Sequence, residues 1–317
     1  MKITLRQAYS FCQLGKRKNQ EDARYPDENK PSASQRTFVV CDGVGGQDKG
    51  EVASQTVAEA MGRYMERVDL NERFLDSEFA LLLDQTYRAL FRRMDDDTRE
   101  MATTMTFVTF HASGVTCAHM GDSRIYQVRP GKGVIYRSDD HSLVNALVHA
   151  GCITPEEAIN HPKSNVITRC LTWVEPGEER PGATVMVLND VEPGDFFFLC
   201  SDGVLHCVSD ERLTEILSDS STDDRQKIQL IAELSKESTD NNTAYLIPVD
   251  SVKYDNTDEE PQIIPRPVGG DDTDGDVSCS TEPIKKPMPE AHDVEPAVSV
   301  VSKISSKISN LIHRLIH

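Results

Sequence analysis

Two uninterrupted runs of apolar residues in this chain each end close to an Asp-Gly pair. Residues 38–41 precede Asp42 and Gly43, and residues 196–200 are followed by Ser201, Asp202 and Gly203. Apolar runs of this length are typical of strands that are buried on both faces. Each one taken alone is also compatible with an ordinary Asp-Gly turn. Because the pattern recurs, we predict that the two carboxylates lie at strand ends and share one metal site.

Up to residue 250, the remaining apolar residues follow helical spacing in some segments and strand spacing in others. Apolar residues three and four positions apart predict helices over 51–68, 79–94, 211–217 and 225–236. Short alternating or apolar runs predict strands over 6–14, 103–111, 115–120, 125–128, 134–136, 185–188 and 244–249. Helix pairs separated by hairpin-linked strands do not follow the alternation of a parallel sheet. They favour antiparallel sheets covered by helices.

Beyond residue 250 the composition changes twice. Residues 251–296 contain seven prolines and twelve acidic residues against four basic ones, which predicts a disordered acidic linker. Residues 297–317 have an apolar stripe at helical spacing and three basic residues without an acid, which predicts a cationic amphipathic helix. Such a helix can dock on a membrane surface, on a partner protein or on the chain's own folded domain, and these alternatives stay open.

Composition excludes several functional classes. The formal net charge of −18 argues against nucleic-acid binding, which selects basic surfaces. The eight cysteines include no C-x-x-C pair, so neither a zinc ribbon nor a disulfide framework is indicated. No apolar run is long enough to span a bilayer, and residues 1–13 lack the apolar core of a signal peptide. We therefore expect a soluble, cytoplasmic monomer with reduced cysteines.

Acidic residues supply the candidate chemistry. Asp42, Asp202 and Asp240 stand at predicted strand boundaries, although each alone could be an ordinary loop aspartate. Oxygen ligands without histidine at matching spacing favour magnesium or manganese over zinc. Two such ions that share a carboxylate can deprotonate a water for in-line attack on phosphorus. Upstream, Arg17 precedes a pair of acids, which suits phosphate capture beside a metal or, alternatively, a solvated charged loop.

Eight short stretches together give the chain a family resemblance. In chain order they are RKNQED (17–22), DGVGG (42–46), TT (103–104), GDSR (121–124), DHS (140–142), NVITR (165–169), SDG (201–203) and DN (240–241). Over residues 1–250 the chain thereby resembles the metal-dependent serine/threonine protein phosphatases of type 2C, especially their bacterial branch. The resemblance implies an α+β fold of two stacked antiparallel β-sheets flanked by helix pairs, with the metals at one edge of the sandwich.

The same resemblance implies a set of metal ligands. Asp42 would bridge two Mn or Mg ions, and the Gly43 carbonyl would ligate one of them. Asp202 and Asp240 would hold the other ion.

The resemblance also implies roles for residues around these ligands. Glu21 and Asp22 would act on the metals through bound waters, and Asp122 would bind a third, weaker ion. Arg17 falls at the position of the family's phosphate-binding arginine.

Two positions depart from the pattern of some family members. Val44 replaces a histidine that is a candidate general acid in many eukaryotic members, so we assign no general acid. His206 stands where members with a third metal often have aspartate, and a structural role is favoured over a ligand role. For His141 we expect hydrogen bonds that brace a loop rather than chemistry.

The implied function is hydrolysis of phosphoserine and phosphothreonine in proteins, by a water that bridges the two ions. The implied partners are phosphoprotein substrates and a Ser/Thr kinase counterpart. One alternative is a pseudophosphatase of the same fold that binds phosphoproteins or a regulatory partner. Another is an interaction protein whose C-terminal segment carries the function. The intact set of Arg17, Asp42, Asp202 and Asp240 argues against a decayed site.

Overall fold

The structure is a computed structural model that describes residues 1–44, 49–94, 101–159, 161–175 and 177–254. Among these residues, thirteen strands form two antiparallel sheets. The first sheet contains β1 (Lys2–Leu5), β2 (Tyr9–Gln13), β8 (Arg124–Arg129), β9 (Gly133–Arg137), β12 (Phe196–Cys200) and β13 (Asn242–Lys253). The second contains β3 (Asp22–Tyr25), β4 (Thr37–Val44), β5 (Ala102–Thr103), β6 (Met105–His111), β7 (Gly114–Met120), β10 (Leu171–Thr172) and β11 (Thr184–Leu188).

Three apolar layers explain why the two opening runs are apolar at every position. Phe38 and Val40 of β4 pack in the layer between the sheets, whereas Val39 and Cys41 face the helices α1 (Gly50–Met65) and α2 (Asp76–Phe91). β12 behaves in the same way towards the helices of the other face. A strand covered on both faces needs apolar side chains on both.

The helices cover the sandwich in groups. On the first sheet lie α5 (Asp202–Leu205), α6 (Asp210–Ser218) and α7 (Asp224–Ser235), whose apolar residues join its outer layer. The helices α3 (Leu143–His149) and α4 (Pro155–Ile159) follow β9 in the chain. In the part of the chain that is described, no helix is long and apolar enough to cross a bilayer.

The expected fold class, an α+β sandwich of two antiparallel sheets with helices outside, is confirmed. The predicted helices and strands recur with boundaries shifted by a few residues, and the predicted strand 103–111 divides into β5 and β6. The expected linker 251–296 needs an adjustment at its start, because β13 continues through residue 253 and pairs with β1 (Lys2↔Lys253). The rest of that linker and the predicted helix 297–317 lie outside the described residues.

Candidate functional site: a carboxylate cluster where the two sheets meet

The end of β4 carries the first acidic residues of the site. β3 lies beside β4 in the register that sets Asp22 directly opposite Asp42. Two contacts with Thr104 hold the backbone of Asp42. Its N–H donates to Thr104 Oγ1 (3.0 Å), and its carbonyl accepts from the Thr104 N–H (2.8 Å). Adjacent strands therefore place the first two carboxylates side by side.

The first sheet brings the other acids to the same place. Asp202 opens α5 two residues beyond the end of β12, and Asp240 lies two residues before β13. The buried Ser201 links the sheets, since its hydroxyl donates to Asp22 Oδ2 (2.7 Å) and accepts from the Thr243 N–H (3.0 Å). The hydrogen bond from Ser201 to Asp22 joins the end of β12 to the beginning of β3.

Two glycines allow the close approach of these segments. A Cβ on Gly43 would lie 2.4 Å from the carbonyl carbon and oxygen of Gly50 and 2.7 Å from the Glu21 oxygen. A Cβ on Gly203 would lie 2.0 Å from the Asn241 oxygen. Both contacts are with backbone atoms, which cannot move aside as a flexible side chain can. Only glycine fits at these two positions.

Asn241 fixes the loop that precedes β3. Its side-chain amide donates to the carbonyls of Leu14 (2.8 Å) and Asn19 (3.0 Å), and its Oδ1 accepts from the Glu21 N–H (2.8 Å). The sequence indicated Asn241 only as part of a motif and assigned it no role. Its structural role is to hold the loop of residues 14–21 against Asp240.

Arg17 lies on that loop, at the solvent-exposed side of the cluster. Its Nη2 donates to Asp240 Oδ2 at 2.6 Å. Partial burial opposes the charge, but the hydrogen bond with Asp240 and the nearby charges of Glu21 and Asp42 raise the pKa of Arg17 overall. The guanidinium is therefore within electrostatic reach of the acids that flank it in sequence and of those from distant strands.

Burial and mutual repulsion raise the pKa values of the clustered carboxyls. Burial raises the pKa of Asp22 to about 7, against the hydrogen bond from Ser201 that favours the ionised form. Burial and the charge of Asp202 raise the pKa of Asp122 to about 7 as well. The pKa of Asp42 is raised well above its ordinary value by burial and then by the other four acids of the cluster: Asp22, Asp202, Asp122 and Asp240. A bound cation would relieve this repulsion.

The donor set fits a hard divalent cation. The five clustered carboxyls offer only oxygen, which Mg and Mn prefer. Within the described residues, Oδ1 of Asp22 and Oδ1 of Asp202 are buried without a hydrogen-bond partner. No group of three or more His, Cys, Asp or Glu side chains in the described ranges already has the spacing of a formed metal site. The fit therefore rests on the oxygen donors, on the two unsatisfied carboxylate oxygens and on the mutual repulsion of the carboxylates.

His206 and His141 differ in their surroundings. His206 is exposed, with Nε2 3.7 Å from Asp202 Oδ2. His141 Nδ1 accepts from the Gly121 N–H (3.2 Å), so its Nε2 carries the proton and donates to Thr184 Oγ1 (2.9 Å). Its ring stacks on His119, with centroids 4.5 Å apart. These contacts tie the loop after β9 to β7 and β11.

Comparison with known proteins gives the site a family context. The model of the protein phosphatase 2C family matches residues 20–236 of this chain. A protein phosphatase 2C-type protein of Streptococcus pyogenes is 33% identical over 218 residues, which are 68% of this chain and 85% of that protein. The serine/threonine protein phosphatase PstP of Mycobacterium tuberculosis is 33% identical over 258 residues, which are 81% of this chain but 46% of PstP. This chain therefore matches about half the length of PstP.

A solved structure supports the same similarity. The catalytic domain of PstP, crystallised in complex with two manganese ions, superposes with a TM-score of 0.64 at 30% sequence identity. The match covers 79% of this chain and all of that domain.

Proposed function

This chain belongs to the protein phosphatase 2C family, and we propose that it is a metal-dependent phosphatase of phosphoserine and phosphothreonine in proteins. The observation that carries the proposal is the convergence of acids from both sheets on one cluster with raised pKa values. Relatives named as serine/threonine protein phosphatases support it, and so does the binding of two manganese ions by PstP.

In this proposal the chain holds two Mn or Mg ions through the carboxylates of Asp42, Asp202 and Asp240 and the carbonyl of Gly43. Burial is the largest cause of the raised pKa of Asp42, and the charges of Asp22, Asp202, Asp122 and Asp240 add to it, so Asp42 lies within electrostatic reach of each of them. When bound, two such ions would activate a water for in-line attack on phosphorus.

The other acids act at the edge of this arrangement. Glu21 and Asp22 would act on the metals through bound waters, and Asp122 would offer a weaker third position. The hydrogen bond from Ser201 to Asp22 Oδ2 orients that carboxylate and leaves its other oxygen for such a water.

Arg17 binds the phosphate. Its guanidinium already pairs with a carboxylate oxygen of Asp240, and the same planar donors match phosphate oxygens. Because the side chain is half exposed, at 50%, it can reach a phosphate that arrives from solvent.

Release of phosphate from a small aryl phosphate tests the proposal. Activity should require Mn or Mg and disappear in chelator. Asp42→Asn should lower kcat about a thousandfold or more, because the metals generate the nucleophile. Asp27→Asn, at a side chain that is 89% exposed, is the matched control and should keep full activity.

Full activity of Asp42→Asn, or activity that survives chelation, would refute the assignment. A pseudophosphatase would instead release no phosphate with either metal while still binding a phosphopeptide.

A further inference from the structure

A cleft of about 700 Å³ opens beside the carboxylate cluster. Asp122 and Asp202 belong to its lining, together with residues of the segment that contains α3 and α4. The cleft is therefore continuous with the proposed reaction site, and a polypeptide attached to a phosphate bound there can extend along it.

One part of the cleft is apolar. Its lining includes Val144, Val148, Ala158, Ile159 and Leu205. Ile159, at the end of α4, is 75% exposed, the highest value among the large apolar side chains that the structure describes. An apolar side chain placed against it would be removed from water together with it, which favours binding.

The arginines of the cleft already form ion pairs with carboxylates. Arg124 forms a two-point ion pair with Asp140, with both distances 2.7 Å. Arg137 lies 2.6 Å from Asp210. The two arginines of the lining are therefore already neutralised by carboxylates.

Asp139 has no such partner. One of its oxygens accepts from Asn145 Nδ2 (2.8 Å), and the other lies 3.2 Å from His149 Nε2. In the described portion of the chain, no lysine or arginine forms a salt bridge with it. Its side chain is 56% exposed. Asn145 and His149 thus hold an exposed carboxylate in place, open to a basic group from outside.

We propose that this cleft binds the substrate polypeptide next to its phosphorylated residue and selects a basic residue at Asp139 and an apolar residue at Ile159. The inference rests on the proposed function, because it names the substrate class of that same site. Charge complementarity, the exposed apolar wall and the continuity with Asp122 and Asp202 carry it.

The test uses phosphothreonine peptides in which arginine, glutamate or leucine replaces alanine at each flanking position in turn. The wild-type chain should prefer arginine at one position, with KM about two- to fivefold below that of the alanine peptide, the size expected for a partly exposed ion pair. Asp139→Asn should remove this ratio, and Asp139→Lys should shift the preference to glutamate at the same position. Asp250→Asn, at an exposed acid outside the cleft lining, should retain the wild-type ratio.

A second variant examines the apolar wall. Leucine at one position should lower KM about fourfold, as expected for about one buried methylene, and Ile159→Ala should remove that gain. Each ratio compares two peptides on one variant, so a general loss of activity cancels.

The outcomes separate this inference from the proposed function. If no aryl phosphate is hydrolysed, the proposed function fails, and peptide binding measured by fluorescence anisotropy still tests the cleft. If aryl phosphate is hydrolysed but no position favours arginine, or if the preference survives Asp139→Lys, the cleft does not select substrates in this way.

Discussion

The ion pair with Asp240 positions the guanidinium of Arg17, which can also bind a phosphate. The two residues are far apart in sequence, yet Nη2 and Oδ2 are 2.6 Å apart because Asn241 holds the loop of Arg17 in place. A guanidinium binds the oxygens of phosphate in the same planar manner as those of a carboxylate.

We predict that Arg17→Ala raises KM for an aryl phosphate about tenfold or more, since a charge-assisted hydrogen bond to the substrate is lost. The value of kcat should change much less, because the contact exists before the reaction begins. Steady-state kinetics measure both. Lys16→Ala is the matched control, because Lys16 faces Glu237 at 3.8 Å. An unchanged KM for Arg17→Ala would show that the phosphate is bound elsewhere.

The raised pKa of Asp22 predicts a pH dependence of stability. Its carboxyl titrates at about 7 in the folded chain against 3.8 as a free group. Between these values the folded state keeps a proton that the unfolded state has lost. The contribution of Asp22 to the free energy of unfolding therefore falls as pH rises through this window.

Asp22→Asn cannot ionise, so in chelator its Tm should rise relative to that of the wild type as the pH increases from 3.8 to about 7. The comparison cancels the titration of groups that both proteins share. Asp27→Asn, at an exposed side chain, is the control for the substitution itself. A difference in Tm that does not vary with pH would contradict the raised pKa.

Among the elements of the fold, strand ends and the loops between them position the site. The loop after β9 is held at His141, whose two ring nitrogens bond Gly121, just after β7, and Thr184 of β11. Burial, with His119 and Arg169, lowers the pKa of His141 to about 3, so the ring stays neutral and keeps one donor and one acceptor.

His141→Ala should lower the free energy of unfolding by about 1–3 kcal/mol, because it leaves the Gly121 N–H without its acceptor. Urea unfolding measures this loss. The kcat for an aryl phosphate should stay within a few-fold of the wild-type value if the ring only braces the loop. His149→Ala, at a 63% exposed side chain, should cost less. A large loss of kcat with unchanged stability would give His141 a chemical role.

At the scale of the whole molecule, β13 is the last strand of the described sandwich. This strand pairs with β2 at its beginning and with β1 at its end, so that one long strand holds two short ones. The hydroxyl of Tyr254 donates to the Val191 carbonyl (3.3 Å) just beyond it.

We therefore expect a chain that ends at residue 254 to keep the kcat and Tm of the full chain. A chain that ends at residue 250 should have a lower Tm, because Lys2, Ile3 and Thr4 lose their partners on β13. Differential scanning calorimetry and aryl phosphate kinetics on both chains measure the effect. If the chain that ends at residue 254 loses catalysis, residues 255–317 take part in the reaction.

Local patterns made much of the fold predictable. The helical spacing of 51–68 and the apolar runs before Asp42 and Asp202 report burial directly, because a side chain's surroundings in a regular element repeat with its period. The acids at those strand ends were recognisable for the same reason. The short strand β3 was missed, since its few residues carry no period and become a strand only by pairing with β4.

The distances across the site required the folded chain. Ser201 reaches Asp22 across 179 positions of sequence, and Asn241 reaches Leu14 across 227. Nothing local to either residue encodes such a contact, because it depends on how two sheets stack and which strands adjoin. The same holds for the pKa of Asp42 and for the position of Asp139 in the cleft. Each depends on charges and surfaces contributed by segments that meet only in the packed molecule.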